Sequence, residues 1–499
     1  MASRSRRLRW YAALTATVLV LAGCGFGEAP RKGSGGAPPS KGAKPNVVFI
    51  LTDDLSWDLV DYMPRVKKMR EQGVTFSNFI ATNTLCCPSR ATILTGKYPH
   101  NTQVLTNEPP NGGWQRFNAN GGERDTFATT MEAAGYRTAL MGKYLNGYDP
   151  AQVQAGAQAF VPPGWTEWYA TSLGYQHYNY TLSENGRPVK YGNKPTDYLT
   201  DVLAGKAVDF VNRSTTARPF MLKLSTFAPH APFTPAPRHA NLFKNVQAPR
   251  GPSFNEADLS DKPAWMHDWP KITPQGVRTI DEKYRGRVRM VQAVDEMVGR
   301  VQKALVDRGL DRNTYIVFGS DNGFHMGQHR LVEGKGTAYD VDVRIPLIVT
   351  GPGIPAGRVV GKLAANTDLR PTFEELAGVK TPPQVDGRSL APFLRGADPE
   401  WRNSILIEHA GPVKDPKDPD YPGRGWGNPP SYAAVRTLND LYLEYDAGER
   451  EYYNLHLDPS SLNNSAARLP VPRRDQLSAL VNALRTCSGA SCRTADHGS

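Results

Sequence analysis

The sequence predicts an α/β protein: a large mixed, mostly parallel sheet flanked by helices, with a smaller C-terminal antiparallel α+β subdomain. Three observations predict it. Short β-branched runs that are apolar throughout recur between helical stretches, as buried parallel strands do. Four of these runs deliver polar or ionisable residues just past their ends. Beyond about residue 385 the pattern changes, and a Pro/Gly-rich stretch separates further strand-like segments. At 499 residues the chain can bury a large core and hold more than one structural unit.

The chain begins with a segment outside that fold. Arg4, Arg6, Arg7 and Arg9 precede the apolar run 11–21, which is too short to span a bilayer comfortably. Residues 1–24 therefore read as an export signal. Leu21-Ala22-Gly23-Cys24 resembles a bacterial lipobox, which implies lipidation of Cys24 and anchoring at the cell surface; an ordinary cleaved signal, with secretion, is the alternative. Ser5-Arg6-Arg7 weakly resembles a twin-arginine signal. Residues 25–45, rich in Gly, Pro, Ser and Lys, read as a flexible tether.

The first strand is expected over 46–51 and runs into Thr52-Asp53-Asp54. A helix follows over 63–72, and 75–80 leads toward a paired cysteine. The second strand of the same design, 137–141, is followed by Gly142-Lys143. The third, 219–224, is followed after a short loop by Ala228-Pro229-His230. The fourth, 313–318, leads into Ser320-Asp321-Asn322-Gly323. Open α/β sheets place ligands at the carboxyl ends of their strands, so these four ends predict one site along one sheet edge.

Between the strands, 126–134 and 197–211 are expected as helices. A long amphipathic helix over 284–305 carries Val288, Val291, Val294, Val298 and Val301 at core spacing. Residues 179–187 read as a hairpin turning at Asn185-Gly186. The proline-rich 229–273 reads as a long loop near the site mouth, and 344–350 as another buried strand. The domain boundaries are therefore 46–385 for the large domain that carries this edge and 386–499 for the C-terminal subdomain. In the latter, strands are expected over 432–435 and 441–445 and a final helix over 475–484, with 411–430 as a separator.

The stretch Thr84 to Gly96 gathers reactive residue types in one turn. Pro88 suits the first turn of a helix, and Gly96 can end it in the left-handed conformation. Cys86 then lies at the helix N-terminus, where free N–H groups favour an anion. Arg90, four residues on, faces the same way and can return toward Cys86. Asp53, Asp54, Asp321 and Asn322 supply only oxygen ligands, which suit Ca²⁺, with Mg²⁺ as the other choice. Cys487 and Cys492 are close enough for a local disulfide in an exported protein, and Cys87 reads as packed and inert. The net charge of +11 favours anionic ligands, but no nucleic-acid motif accompanies it, and no nucleic-acid partner is expected.

Cys86-Cys87-Pro88-Ser89-Arg90 with Leu94-Thr95-Gly96 resembles the signature of the type I sulfatases. The resemblance implies the alkaline-phosphatase-like fold of that family and oxidation of Cys86 to formylglycine by a formylglycine-generating enzyme. It implies Asp53, Asp54, Cys86, Asp321 and Asn322 as metal ligands. It also implies Cys86, Arg90, Lys143, His230 and Lys335 as catalytic residues, Lys143, His230 and Lys335 binding substrate too. In that chemistry the hydrated aldehyde, a gem-diol, attacks sulfur. His230 and Lys335 are the proton donors to the leaving alcohol. Three carboxylates against one divalent cation leave about one negative charge, and Arg90, Lys143 and Lys335 turn it to about two positive, suited to a sulfate monoester.

One departure stands out. Many sulfatases carry Gly-Lys-Trp-His, whereas this chain has Gly142-Lys143-Tyr144-Leu145-Asn146, so the group assisting sulfate elimination is unassigned. That stretch resembles the N-acetylglucosamine-6-sulfatase branch, as do Gly96-Lys97-Tyr98-Pro99-His100-Asn101, Tyr178-Asn179-Tyr180-Thr181-Leu182 and Ala228-Pro229-His230-Ala231-Pro232. The resemblance implies a sulfated carbohydrate substrate, with the 6-O-sulfate of N-acetylglucosamine the leading reading. The alternatives are a sulfatase of the same fold acting on an aryl or other carbohydrate sulfate, and a surface carbohydrate-binding lipoprotein whose catalysis has lapsed. His325 is open to two readings, lining the substrate mouth or holding structure.

Overall fold

The computed structural model describes residues 44–152, 157–416, 418–422 and 427–498. The signal segment, Cys24 and all but the last two residues of the tether lie outside the described residues.

The first strand, β1 (Asn46–Thr52), is buried along its whole length, and its side chains alternate between two cores. Val48 and Ile50 pack with Val288, Val291, Val294 and Val298 of the helix Pro274–Asp307. Val47, Phe49 and Leu51 pack on the other face with Ala91, Ile93 and Leu94 of the helix Cys86–Thr95. This is the two-faced burial that an apolar run without alternation requires.

Nine further strands complete a ten-stranded sheet. They are β2 (Val74–Ile80), β3 (Arg137–Lys143), β4 (Glu167–Thr171), β5 (Thr181–Glu184), β6 (Arg187–Lys190), β7 (Phe220–Ser225), β8 (Thr314–Ser320), β9 (Leu347–Thr350) and β10 (Arg358–Ala365). Their order is β10-β2-β9-β8-β1-β7-β3-β4-β5-β6. The four strands expected to carry site residues are β8, β1, β7 and β3. They are direct neighbours and all parallel, so their carboxyl ends share one edge. β9 pairs antiparallel with β8 and β2, and the β5–β6 hairpin is antiparallel with Asn185 and Gly186 at positive φ; these make the sheet mixed.

Two departures from the sequence expectation have simple causes. β10 lies at the sheet edge, with Val359 and Gly361 exposed and Arg358 and Lys362 part-exposed, and so lacks a continuous apolar run. The long helix starts at Pro274, ten residues before the expected start. Its first turns are mostly polar, and it is capped by Thr273, whose hydroxyl accepts from the Gly276 N–H at 3.1 Å.

A second, four-stranded antiparallel sheet lies within 386–499: β11 (Ile405–His409), β12 (Tyr432–Arg436), β13 (Asp440–Tyr445) and β14 (Arg450–Asn454), in that order. The helix Val471–Arg485 packs on it. Cys487 and Cys492 are joined by a disulfide. Among the described residues, no helix is long and apolar enough to cross a membrane.

Candidate active site

The helix Cys86–Thr95 is wholly buried, and Gly96 ends it at φ +67°, its N–H donating to the Thr92 carbonyl. Cys86 is its first residue. The thiol donates to Asp53 Oδ1 at 3.2 Å and accepts from Lys335 Nζ at 2.9 Å. Burial, with the charges of Asp420 and Asp53, pushes the Cys86 thiol well above its ordinary range. The anion-binding turn is partly taken: the Cys87 N–H donates to Asn107 Oδ1 at 2.9 Å. Cys87 itself packs in the core.

Each of the four strand ends delivers its residues to this thiol. From β1, Asp53 accepts from Lys143 Nζ at 2.6 Å. Asp54 adopts φ +65°, a left-handed conformation that costs strain in a non-glycine residue. From β3, Lys143 follows Gly142 at φ +108°, where a Cβ would lie 1.9 Å from the Ser225 carbonyl oxygen. Burial opposes its charge, but Asp53 and Cys86 hold the Lys143 pKa well above the usual lysine value. From β8, Asp321 accepts at Oδ2 from Arg90 Nε at 2.8 Å and at Oδ1 from the Asp54 and Asn322 N–H groups. Arg90 is thus drawn to Asp321, Ser225 Oγ and the Lys143 carbonyl rather than folding back onto Cys86.

His230 follows β7. Its Nδ1 meets the Ala231 carbonyl at 2.8 Å, and its Nε2 meets Asp420 Oδ1 at 2.9 Å, so both ring nitrogens face acceptors. Burial opposes protonation, but Asp54, Asp53 and Asp420 raise the His230 pKa above the ordinary histidine value. Lys335 reaches the site between Gly334 and Gly336, both at positive φ, and donates to Asp54 Oδ1 at 2.6 Å. His325 is buried, with Nδ1 bonded to Asp342 at 3.0 Å. Asp342 also accepts from the Thr337 N–H and hydroxyl, so this pair holds the segment that carries Lys335.

The donor set could hold a metal ion. Asp53, Asp54, Cys86 and His230 offer ligand atoms that all lie within 4.8 Å of one another. Asp54 Oδ2 and Asn322 Oδ1 are buried oxygens without a hydrogen-bond partner. Such orphaned oxygens are costly unless a ligand engages them.

Four residues at the site escape the sequence reading. Asp420 comes from the stretch 411–430, which reads only as a separator. It is buried against His230 and Lys335 and accepts from Asn107 Nδ2 at 2.7 Å. Burial opposes its charge, but Lys335 and His230 hold its carboxyl well below the usual range. The signal was the run Asp415, Asp418, Asp420, acids set among prolines. Ser225 ends β7 and obeys the same strand-end rule as Lys143; its hydroxyl accepts from Arg90 at 2.7 Å and Lys223 at 3.0 Å. Tyr175 places its ring 4.8 Å from Lys143 Nζ, and nothing in its local sequence marks it. Asn107 likewise has only its position in space to identify it.

Comparison with known proteins follows the same lines. A family model described as "Sulfatase" matches residues 45–379, and one described as "N-sulphoglucosamine sulphohydrolase, C-terminal" matches 327–471. N-acetylglucosamine-6-sulfatase of Capra hircus is 38% identical over 496 residues, covering 92% of this chain and 86% of that one. A protein solved in complex with its substrate D-glucosamine-2-N,6-O-disulfate superposes with a TM-score of 0.71 at 25% identity, covering 91% of this chain and 99% of that one. The phosphonate monoester hydrolase of Agrobacterium radiobacter shares the fold, with a TM-score of 0.67 at 24% identity over 88% of this chain and 95% of that one.

Proposed function

This chain belongs to the sulfatase family, and on that premise we propose that it removes the 6-O-sulfate from N-acetylglucosamine or a closely related sulfated sugar. The observation that carries the reading is the convergence on Cys86 of Asp53, Lys335 and His230, with Lys143 and Arg90 held on Asp53, from separate elements of a chain 38% identical to an N-acetylglucosamine-6-sulfatase.

Asp53, Asp54, Asp321 and Asn322 would hold a divalent cation, Ca²⁺ or Mg²⁺, with position 86. The cation supplies Lewis acidity toward oxygen at that position. Formylglycine, made from Cys86 by a maturation enzyme, supplies the hydrated oxygen nucleophile that a buried thiol lacks.

The remaining work falls to this chain's side chains. Arg90 and Lys143 offset charge on the sulfate oxygens. His230 Nε2 and Lys335 Nζ converge on Asp420 Oδ1, at 2.9 and 3.0 Å, so two proton donors are held side by side. As the sulfur–oxygen ester bond breaks, the leaving alcohol oxygen takes a proton from one of them. Asp420 orients both. Leu145, at the family's histidine position, is buried in the apolar core and takes no part.

The export reading continues from the sequence: a signal peptide, lipidation at Cys24 and a cell-surface enzyme. The Cys487–Cys492 disulfide suits an oxidising compartment.

The test is sulfate release by protein co-expressed with a formylglycine-generating enzyme. The panel is N-acetylglucosamine-6-sulfate, its 3-sulfate isomer, galactose-6-sulfate and an aryl sulfate. Preferential release from the first supports the reading. Turnover of the aryl ester alone removes the sugar assignment and keeps the sulfatase. No release from any ester, with formylglycine confirmed by mass spectrometry and Ca²⁺ supplied, overturns the proposed activity.

A further inference from the structure

We propose that Tyr175 is a further catalytic residue, whose phenol hydroxyl donates a hydrogen bond to the sulfate group of the bound ester, beside Lys143 and His230. The proposal rests on the sulfatase reading of the site and deepens it.

The sheet register puts Tyr175 there. β4 is parallel to β3, and Thr171 pairs with Lys143, so the chain leaving β4 emerges at the same edge. Four residues later the Tyr175 ring lies against three groups of the site wall. Its centroid is 4.8 Å from Lys143 Nζ, 4.7 Å from the His230 ring and 5.1 Å from the Phe227 ring. The ring is fixed, yet its hydroxyl is buried with no hydrogen-bond partner. Buried tyrosine hydroxyls usually find a partner, and this unpartnered one is carried by a ring that lies against Lys143 and His230.

The hydroxyl is a donor rather than a base. Burial raises its pKa well above the usual phenol value; Lys143 opposes this, and Cys86, Asp53 and Asp420 add to it, so the proton stays on oxygen. A sulfate held between Lys143 and His230 would lie against the same ring and could offer that hydroxyl its missing acceptor. The loop is also held at a cost: His177 and Asn179, both non-glycine, sit at φ +61° and +53°. Where β3 continues past Lys143, Tyr144 and Leu145 turn into the core, so neither reaches this wall.

The experiment compares matured wild type with Tyr175→Phe and, as control, Tyr178→Phe. The Tyr178 hydroxyl is also buried and unpartnered, but its ring lies on Tyr198, 5.6 Å away, in the same loop. On N-acetylglucosamine-6-sulfate, Tyr175→Phe is expected to lower kcat/KM by about 10- to 100-fold while Tyr178→Phe stays within about two-fold. Calorimetric binding of inorganic sulfate should weaken by about five-fold or more in Tyr175→Phe alone. Unchanged kcat/KM and unchanged sulfate affinity in Tyr175→Phe overturn the proposal, as does an equal loss in both variants, which would report loop packing. If wild type releases no sulfate from any ester, the sulfatase reading fails separately. Sulfate binding by the same proteins then decides the role of Tyr175, weaker binding in Tyr175→Phe supporting it and equal binding overturning it.

Discussion

Glu451 in the small sheet and Asp54 at the edge of the large one are both buried carboxylates, and their surroundings are opposite. Glu451 on β14 accepts from Tyr445 at 2.6 Å on one oxygen, and from Tyr339 at 2.8 Å and Tyr453 on the other. Every donor is a neutral hydroxyl, and the cluster ties the small sheet to the segment after Lys335. Asp54 accepts from Asn322 and Lys335 on Oδ1, both at 2.6 Å, while Oδ2 has no hydrogen bond and the backbone is strained. The difference teaches how to read buried polarity. A cluster closed on itself holds structure, whereas one with an orphaned oxygen, a strained backbone and converging cations is built to receive a ligand.

That contrast predicts that activity and stability will separate, and the largest effect tests it at Cys86. Cys86→Ala should reduce sulfate release by at least about 10⁴-fold while thermal unfolding stays near wild type. A variant that unfolds instead would show that this centre also holds the fold. Next, Asp54→Asn should cost about 10³-fold in kcat and weaken divalent-cation binding, read by calorimetry. The cation-free protein should stay near wild type in stability, because the amide oxygen can still accept from Lys335, which keeps Asp420 as its ion-pair partner.

Glu451→Ala should do the reverse. It strands three tyrosine hydroxyls and should destabilise by about 2–4 kcal/mol in denaturant titration, with kcat within about two-fold. A large kcat loss at full stability would dissolve the distinction between the clusters. Asp420→Asn should fall between, lowering kcat/KM by about ten-fold through disordered His230 and Lys335.

The smallest effect concerns the contact between the two sheets' surroundings. His100 bonds Glu408 at 2.8 Å and the Cys487 carbonyl at 3.0 Å. Burial lowers its pKa, but Glu408 and that carbonyl raise it above the ordinary value. A raised folded pKa gives stability that is full below the unfolded value and is lost as pH rises through the folded one. His100→Gln should therefore cost about 1 kcal/mol at pH 5.5 and less at pH 8.5. Equal losses at both pH values would remove the charge from the explanation.

Much of the candidate site's edge was legible in the amino-acid order. Apolar runs ending in Asp53-Asp54, Gly142-Lys143 and Asp321-Asn322 encode both a parallel strand and what lies beyond its end. The helix after Cys86 declares its stop at Gly96, the one residue there that takes φ +67° without strain. These signals are local, because burial on both faces and a left-handed turn constrain residue types within a few positions.

The tertiary structure alone decided which other groups join them. Asp420 meets His230 across 190 residues, and Arg90 finds Asp321 across 231 rather than Cys86 four residues away. Tyr175 arrives only because β4 pairs with β3 in a register that sets Thr171 beside Lys143. The physical reason is one of range. Backbone conformation and burial pattern are written in neighbouring residues, whereas the approach of one loop to another strand's end is set by how sheets pack, which no local period records.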